Sequence, residues 1–156
     1  MLLDICCGSG LYCIALSKFV KRIIGVEINR EAVADAKFNA SLNQVTNVEF
    51  ITGLVEDIVP KILESLPQNS QVVAIVNPSR YGIMSSLLSA LRRCKNLRKL
   101  VYVSCNPFGK SAYNFYNLCR PPNLLYENLP FQITRAVPVD LFPQTAHTEL
   151  VLLFER

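Results

Sequence analysis

The chain carries one histidine, no two cysteines spaced as C-x-x-C, and no apolar run reaching the about 20 residues of a membrane-spanning helix. Each shortage removes a class of protein. A lone histidine and scattered thiols give no zinc-ligand spacing, so no metal is expected. The six cysteines (Cys6, Cys7, Cys13, Cys94, Cys105 and Cys119) form no secreted disulfide framework, which points to a reducing compartment. No segment reads as a signal or transit peptide, and there are no repeats or low-complexity stretches. Charge is sparse as well. Only 18% of residues are charged, and a net +4 is too small to argue by itself for a nucleic-acid partner. What remains is 156 residues, 51% of them hydrophobic, which suits one globular domain with a sizeable core. Met1 runs straight into the apolar Leu2-Leu3-Asp4-Ile5, so an upstream region is expected to precede this domain.

Strand-like and helix-like segments alternate. Leu2–Ile5, Arg22–Val26, Val48–Thr52, Gln71–Val76 and Lys99–Val103 are short apolar runs of strand type. Leu11–Phe19, Arg30–Leu42, Val55–Leu66, Ser85–Cys94 and Ser111–Leu118 have helical character. Asn29 is placed to cap the second helix, with Ala32, Val33 and Ala36 on its inner face. Ile58, Ile62 and Leu66 recur at spacing four along the third, which holds Pro60 near its first turn or as a break. Phe131–Val139 and Glu149–Phe154 close the chain as two strands with no helix between them. This order predicts an α/β fold: a doubly wound, mostly parallel seven-stranded sheet ending in an antiparallel hairpin. Ligands of such sheets bind beyond the carboxyl ends of the strands. Gly8–Gly10, Glu27, Asn77–Arg80 and Ser104–Pro107 each follow a strand, so four polar or glycine-rich clusters converge on one rim.

The chemistry of these clusters narrows the function. Asp4-Ile5-Cys6-Cys7-Gly8-Ser9-Gly10 is a strand, a glycine turn and a helix start, where Gly8 and Gly10 let a ligand approach the backbone. Glu27 ends the next strand, where a carboxylate can accept from both ribose hydroxyls of a nucleoside cofactor. The plain alternative is a tight turn and a solvated Glu. A dinucleotide fingerprint has a third glycine where this chain has Cys13, and the acidic Asp4 favours S-adenosylmethionine over a nicotinamide cofactor. Cys105 stands at a strand tip ahead of Asn106-Pro107, a position that exposes a thiol able to attack a conjugated carbon. A small buried thiol is the ordinary reading of such a cysteine. His147 could pair with a cysteine nucleophile as in hydrolases, or be structural. Glu149 opens an apolar strand; partial burial would raise its pKa and suit it to taking a proton, whereas most strand-end glutamates are solvated caps. Arg80 could contact phosphate, or be a surface residue in a turn.

Taken together, the motifs resemble the RNA uracil-5-methyltransferases, which make 5-methyluridine in tRNA and rRNA. That family shows D-x-x-C-G-x-G, G-V-E, D-P-P-R, S-C-N-P and F-P-x-T-x-H-x-E. The corresponding segments here are Asp4–Gly10, Gly25-Val26-Glu27, Asn77-Pro78-Ser79-Arg80, Ser104–Pro107 and Phe142–Glu149, in the same order and across nearly the whole chain. The resemblance implies a class I S-adenosylmethionine-dependent methyltransferase fold over residues 1–156. It implies a cofactor site at Asp4, Cys6, Gly8, Gly10, Glu27 and Asn77, and a tRNA uridine held near Arg80, Asn106 and His147. It further implies Cys105 as the nucleophile that adds to C6 of uracil and Glu149 as the base that removes the C5 proton. It implies a monomer, in a mitochondrial, cytoplasmic or nuclear setting rather than a secreted one. The chain departs from the family at Asn77 and Ser79, which replace the Asp and second Pro of D-P-P-R. The family's RNA-binding region and glutamine-bearing motif lie ahead of the first strand. Two other readings stay open: a non-catalytic RNA-binding descendant, motivated by Asn77 and Ser79, and a nicotinamide-dependent oxidoreductase on a similar sheet.

Overall fold

A computed structural model describes residues 1–126 and 128–156. Seven strands form one sheet in the order β3-β2-β1-β4-β5-β7-β6. These are β1 (Leu2–Ile5), β2 (Ile23–Glu27), β3 (Val48–Thr52), β4 (Val72–Val76), β5 (Leu97–Ser104), β6 (Gln132–Val139) and β7 (Glu149–Glu155). The first five pair in parallel. β7 pairs antiparallel with both β5 and β6. The expected terminal hairpin is present, and its second strand is inserted beside β5, leaving β6 as the edge. β6 is exposed along nearly its whole length and carries Pro138, which an edge strand tolerates because one side of its ladder is unpaired.

The helices are α1 (Leu11–Leu16), α2 (Arg30–Leu42), α3 (Val55–Glu64), α4 (Ser85–Arg93) and α5 (Lys110–Cys119). Strand side chains alternate between two cores. Leu2, Ile23 and Ile75 meet Cys13, Val33 and Ala36 of α1 and α2 on one face. Leu3, Ile24, Val26, Ala74 and Val76 meet Val59, Leu87 and Leu118 of α3, α4 and α5 on the other. A sheet covered on both faces explains why its central strands are continuous apolar runs.

Local structure follows the side chains closely at α2, where the Asn29 side chain accepts from the backbone N–H groups of Glu31 at 2.9 Å and Ala32 at 3.3 Å. The buried residues of α2 are Val33, Ala36 and Ala40. α3 turns a second row of apolar residues inward. Its deepest row is Val55, Val59 and Leu63, while Ile58, Ile62 and Leu66 lie half-buried beside it. Both rows are spaced by four, so periodicity alone does not say which one points inward. The helix also stops at Glu64, which leaves Leu66 outside it.

Candidate active site

All five parallel strands end on the same rim, and β7 begins there. The turn after β1 is built from left-handed backbone at Cys6 (φ 64°), Gly8 (φ 52°) and Gly10 (φ 84°). The two glycines serve different ends. A Cβ at Gly10 would lie 2.9 Å from Phe50 Cζ and 3.2 Å from Ala36 Cβ, so Gly10 lets α1 pack onto its neighbours. A Cβ at Gly8 would meet nothing within 4 Å, so the open side of that turn faces free space. At the end of β2, Glu27 reaches across: Gly8 N–H donates to its Oε2 at 3.1 Å and Asn29 N–H to its Oε1 at 3.0 Å. Each carboxylate oxygen thereby keeps a lone pair free.

Gly8 and Glu27 line a cleft of ≈ 560 Å³ together with Cys6, Ile28, Leu54 and Asn77. The cleft also takes in Glu56, in the first turn of α3, whose carboxylate accepts from Met84 N–H at 3.4 Å. Leu54 and Glu56 escaped the sequence reading. The signal was present, because Gly53-Leu54-Val55-Glu56 follows β3 just as the other clusters follow their strands. Burial, reinforced by the carboxylates of Glu27, Glu56 and Asp4, pushes the Cys6 thiol up to about 12, so Cys6 stays a neutral thiol in the wall.

Asp4 does not line this cleft. It is 0% exposed, and its Oδ2 accepts from the Cys13 thiol at 3.1 Å. Its Oδ1 is buried with no partner. Burial raises the Asp4 carboxyl to about 6, against the smaller opposing effect of the Cys13 hydrogen bonds. The room for a thiol at Cys13 comes from the strand. A Cβ at Gly25 in β2 would lie 2.9 Å from Cys7 Sγ and 3.1 Å from Cys13 Sγ. The close helix–strand approach that a third helix glycine would give is supplied here by Gly25.

The second half of the rim lies around β5 and β7. Their antiparallel ladder runs from Lys99↔Glu155 to Ser104↔Leu150. Cys105, half-buried, follows directly after β5, and Glu149 opens β7, so both lie just beyond the last registered pair at this end of the ladder. Glu149 is only 8% exposed, and burial raises its pKa. Asn106 N–H donates to Ser104 Oγ at 3.3 Å and shapes the turn after Cys105. Arg80 is exposed in the turn after β4. His147 is exposed in the connection from β6 to β7, its ring set edge-on to Phe142 at 6.3 Å. Among the described residues no hydrogen bond joins the His147 ring to Cys105. None of their His, Cys, Asp and Glu side chains forms a group able to hold a metal. The rim thus brings the Cys105 thiol and the desolvated Glu149 carboxylate to one end of two paired strands, on the same side of the sheet as the Gly8–Glu27 cleft.

Comparisons with known proteins bear on the family and the fold. The family model described as tRNA (Uracil-5-)-methyltransferase matches residues 1–156. The tRNA (uracil-5-)-methyltransferase homolog A of Homo sapiens is 50% identical over 156 residues, which are 100% of this chain and 25% of that protein. Homolog B of Mus musculus is 46% identical over 158 residues, covering 100% of this chain and 32% of its own length. The chain therefore spans a quarter to a third of these curated relatives. Among solved structures, the Pyrococcus abyssi tRNA (uracil-54, C5)-methyltransferase in complex with S-adenosyl-L-homocysteine superposes with a TM-score of 0.73 at 28% identity, covering 98% of this chain and 33% of that one. An rRNA methylase from Streptococcus thermophilus, at 14% identity and a TM-score of 0.67, shares the fold; the alignment covers 99% of this chain and 86% of that one.

Proposed function

The chain belongs to the tRNA (uracil-5-)-methyltransferase family, and from that premise we propose that it is the S-adenosylmethionine-binding catalytic part of an enzyme methylating C5 of a uridine in tRNA. The observation that supports this reading is the β5–β7 register, whose last pair, Ser104↔Leu150, brings the neighbouring Cys105 and Glu149 to the rim that also holds the Gly8–Glu27 cleft.

The cleft suits the cofactor. Glu27 keeps lone pairs for a ribose diol, and Ile28 and Leu54 offer exposed apolar surface for an adenine. S-adenosylmethionine supplies the methyl as an electrophilic carbon on a sulfonium sulfur. The rest is done by the protein. The Cys105 thiolate adds to C6 of the uracil, moving the C5–C6 electron pair onto C5, which can then take the methyl. Glu149 removes the remaining C5 proton, the C5–C6 double bond re-forms, and the Cys105 thiolate leaves. The target base must be unstacked to reach the thiol.

Two consequences concern the cleft and the strand beneath it. Glu27→Ala is expected to weaken S-adenosylhomocysteine binding at least about 100-fold in a calorimetric titration, the equivalent of two charge-assisted hydrogen bonds. Asp4 gives a pH dependence. In the free protein its carboxyl is raised from 3.8 to about 6. Its contribution to folding stability is therefore full below 3.8 and lost as pH rises through about 6. Asp4→Asn should remove this dependence, and a stability profile left unchanged in that variant would show that Asp4 does not set it.

The reading as a whole is tested by incubating the whole protein with S-adenosylmethionine and unmodified tRNA and measuring 5-methyluridine by nucleoside analysis. Its formation is expected. Cofactor and tRNA binding without any 5-methyluridine would favour the non-catalytic reading, in which Asn77 and Ser79 have ended the chemistry.

A further inference from the structure

A second cleft, of ≈ 650 Å³, lies between the loop after β4 and the start of α5. Tyr81, Met84, Lys110 and Tyr113 stand on its walls, with Asn114 behind them. Two features mark it. Tyr81 is 72% exposed and Tyr113 55% exposed, so two aromatic rings face solvent on one cleft. The Lys110 ammonium sits 4.8 Å from the centroid of the Tyr81 ring, a cation–π contact that holds the ring and brings a positive charge to the same wall.

The floor is fixed from behind. Buried Asn114 accepts at Oδ1 from Ile83 N–H at 2.9 Å and from the Tyr102 hydroxyl at 2.7 Å, and its Nδ2 donates to Ile83 O at 2.9 Å. Gly82 has φ 70°, and a Cβ there would lie 2.3 Å from Asn114 Oδ1. The loop carrying Tyr81 is thereby pinned to α5, which begins directly after the Cys105 turn. Aromatic faces with a nearby cation, on a rigid floor, match a stacked base with its phosphate. Arg80, exposed next to Tyr81, adds a second cation for the strand.

We propose that this cleft is a nucleotide-stacking subsite. It takes a base of the RNA strand adjacent to the target uridine, with Tyr81 and Tyr113 as stacking faces and Lys110 as phosphate partner. The proposal rests on the function proposed above and assigns the RNA contact of that same site. Holding a neighbouring nucleotide here would keep the unstacked uridine at Cys105 and limit the strand's return to its duplex.

The test uses the whole protein and an RNA hairpin carrying the target uridine. Tyr81→Ala and Tyr113→Ala should each raise the KM for RNA about tenfold, the loss of one base stack. Tyr81→Phe and Tyr113→Phe, which keep the ring, should stay within about twofold. Lys110→Ala should lower the slope of binding against salt by about one. An abasic substitution at the stacked position should cost the wild type as much as Tyr81→Ala does, and add nothing further in that variant. Wild-type formation of 5-methyluridine together with an unchanged RNA KM in both Ala variants would overturn the subsite and leave the proposed function standing. The subsite falls equally if the Ala variants lose thermal stability with no change in KM, since another part of the protein would then cover the rings. A wild type that forms no 5-methyluridine would remove the function and this subsite together.

Discussion

Cys105→Ala is expected to cut 5-methyluridine formation by a factor on the order of 10⁴ to 10⁶, the size of loss seen when a covalent nucleophile is removed. The reason lies in the substrate. C5 of uracil is a weak nucleophile until a thiolate adds at C6. Cys6, the thiol lining the cleft, is pushed up to about 12 and stays protonated at neutral pH. Cys105→Ser should recover little, because a hydroxyl is seldom ionised and adds poorly to a soft carbon. S-adenosylhomocysteine binding should persist in both variants, since Cys105 is not part of the cleft lined by Gly8 and Glu27. Appreciable turnover by Cys105→Ala would overturn the nucleophile assignment.

Glu149→Gln should slow turnover by a factor on the order of 10² to 10⁴, the usual contribution of a positioned base. It should also change what accumulates. Methyl transfer precedes proton removal, so the variant should stall with methylated uridine still bonded to Cys105. A protein–RNA species that survives denaturing electrophoresis would reveal it. The same residue gives a pH profile. Burial raises Glu149 above the ordinary carboxylate range, and the base works only when ionised. Turnover should therefore fall as pH drops through that raised value and level off above it, and Glu149→Gln should lose this limb. Slow turnover without adduct would place Glu149 before the methyl transfer.

The parts of this arrangement legible in the sequence are those where one residue type meets one local demand. Asn29 caps α2 because its short side chain reaches free backbone N–H groups. Gly8, Glu27, Asn77 and Cys105 announced a rim because polar or glycine residues abruptly ended apolar runs. What stayed hidden depends on the third dimension. Asn114 and Tyr102 reveal their clamp on Ile83 only when β5, α5 and the loop after β4 are brought together. The inner row of α3 could not be chosen between two rows of equal spacing. That Cys105 and Glu149, 44 positions apart, come to one end of two paired strands follows from insertion of β7 beside β5, a topological fact that no local pattern encodes.

The covalent route through Cys105 is probed by replacing the C5 proton with a group that Glu149 cannot remove. Whole protein, S-adenosylmethionine and an RNA carrying 5-fluorouridine at the target position should yield a covalent complex. Peptide mass spectrometry should find the methylated nucleotide attached to Cys105. A complex attached to any other residue, or 5-methyluridine formation from ordinary RNA with no covalent species from the fluorinated one, would rule that route out.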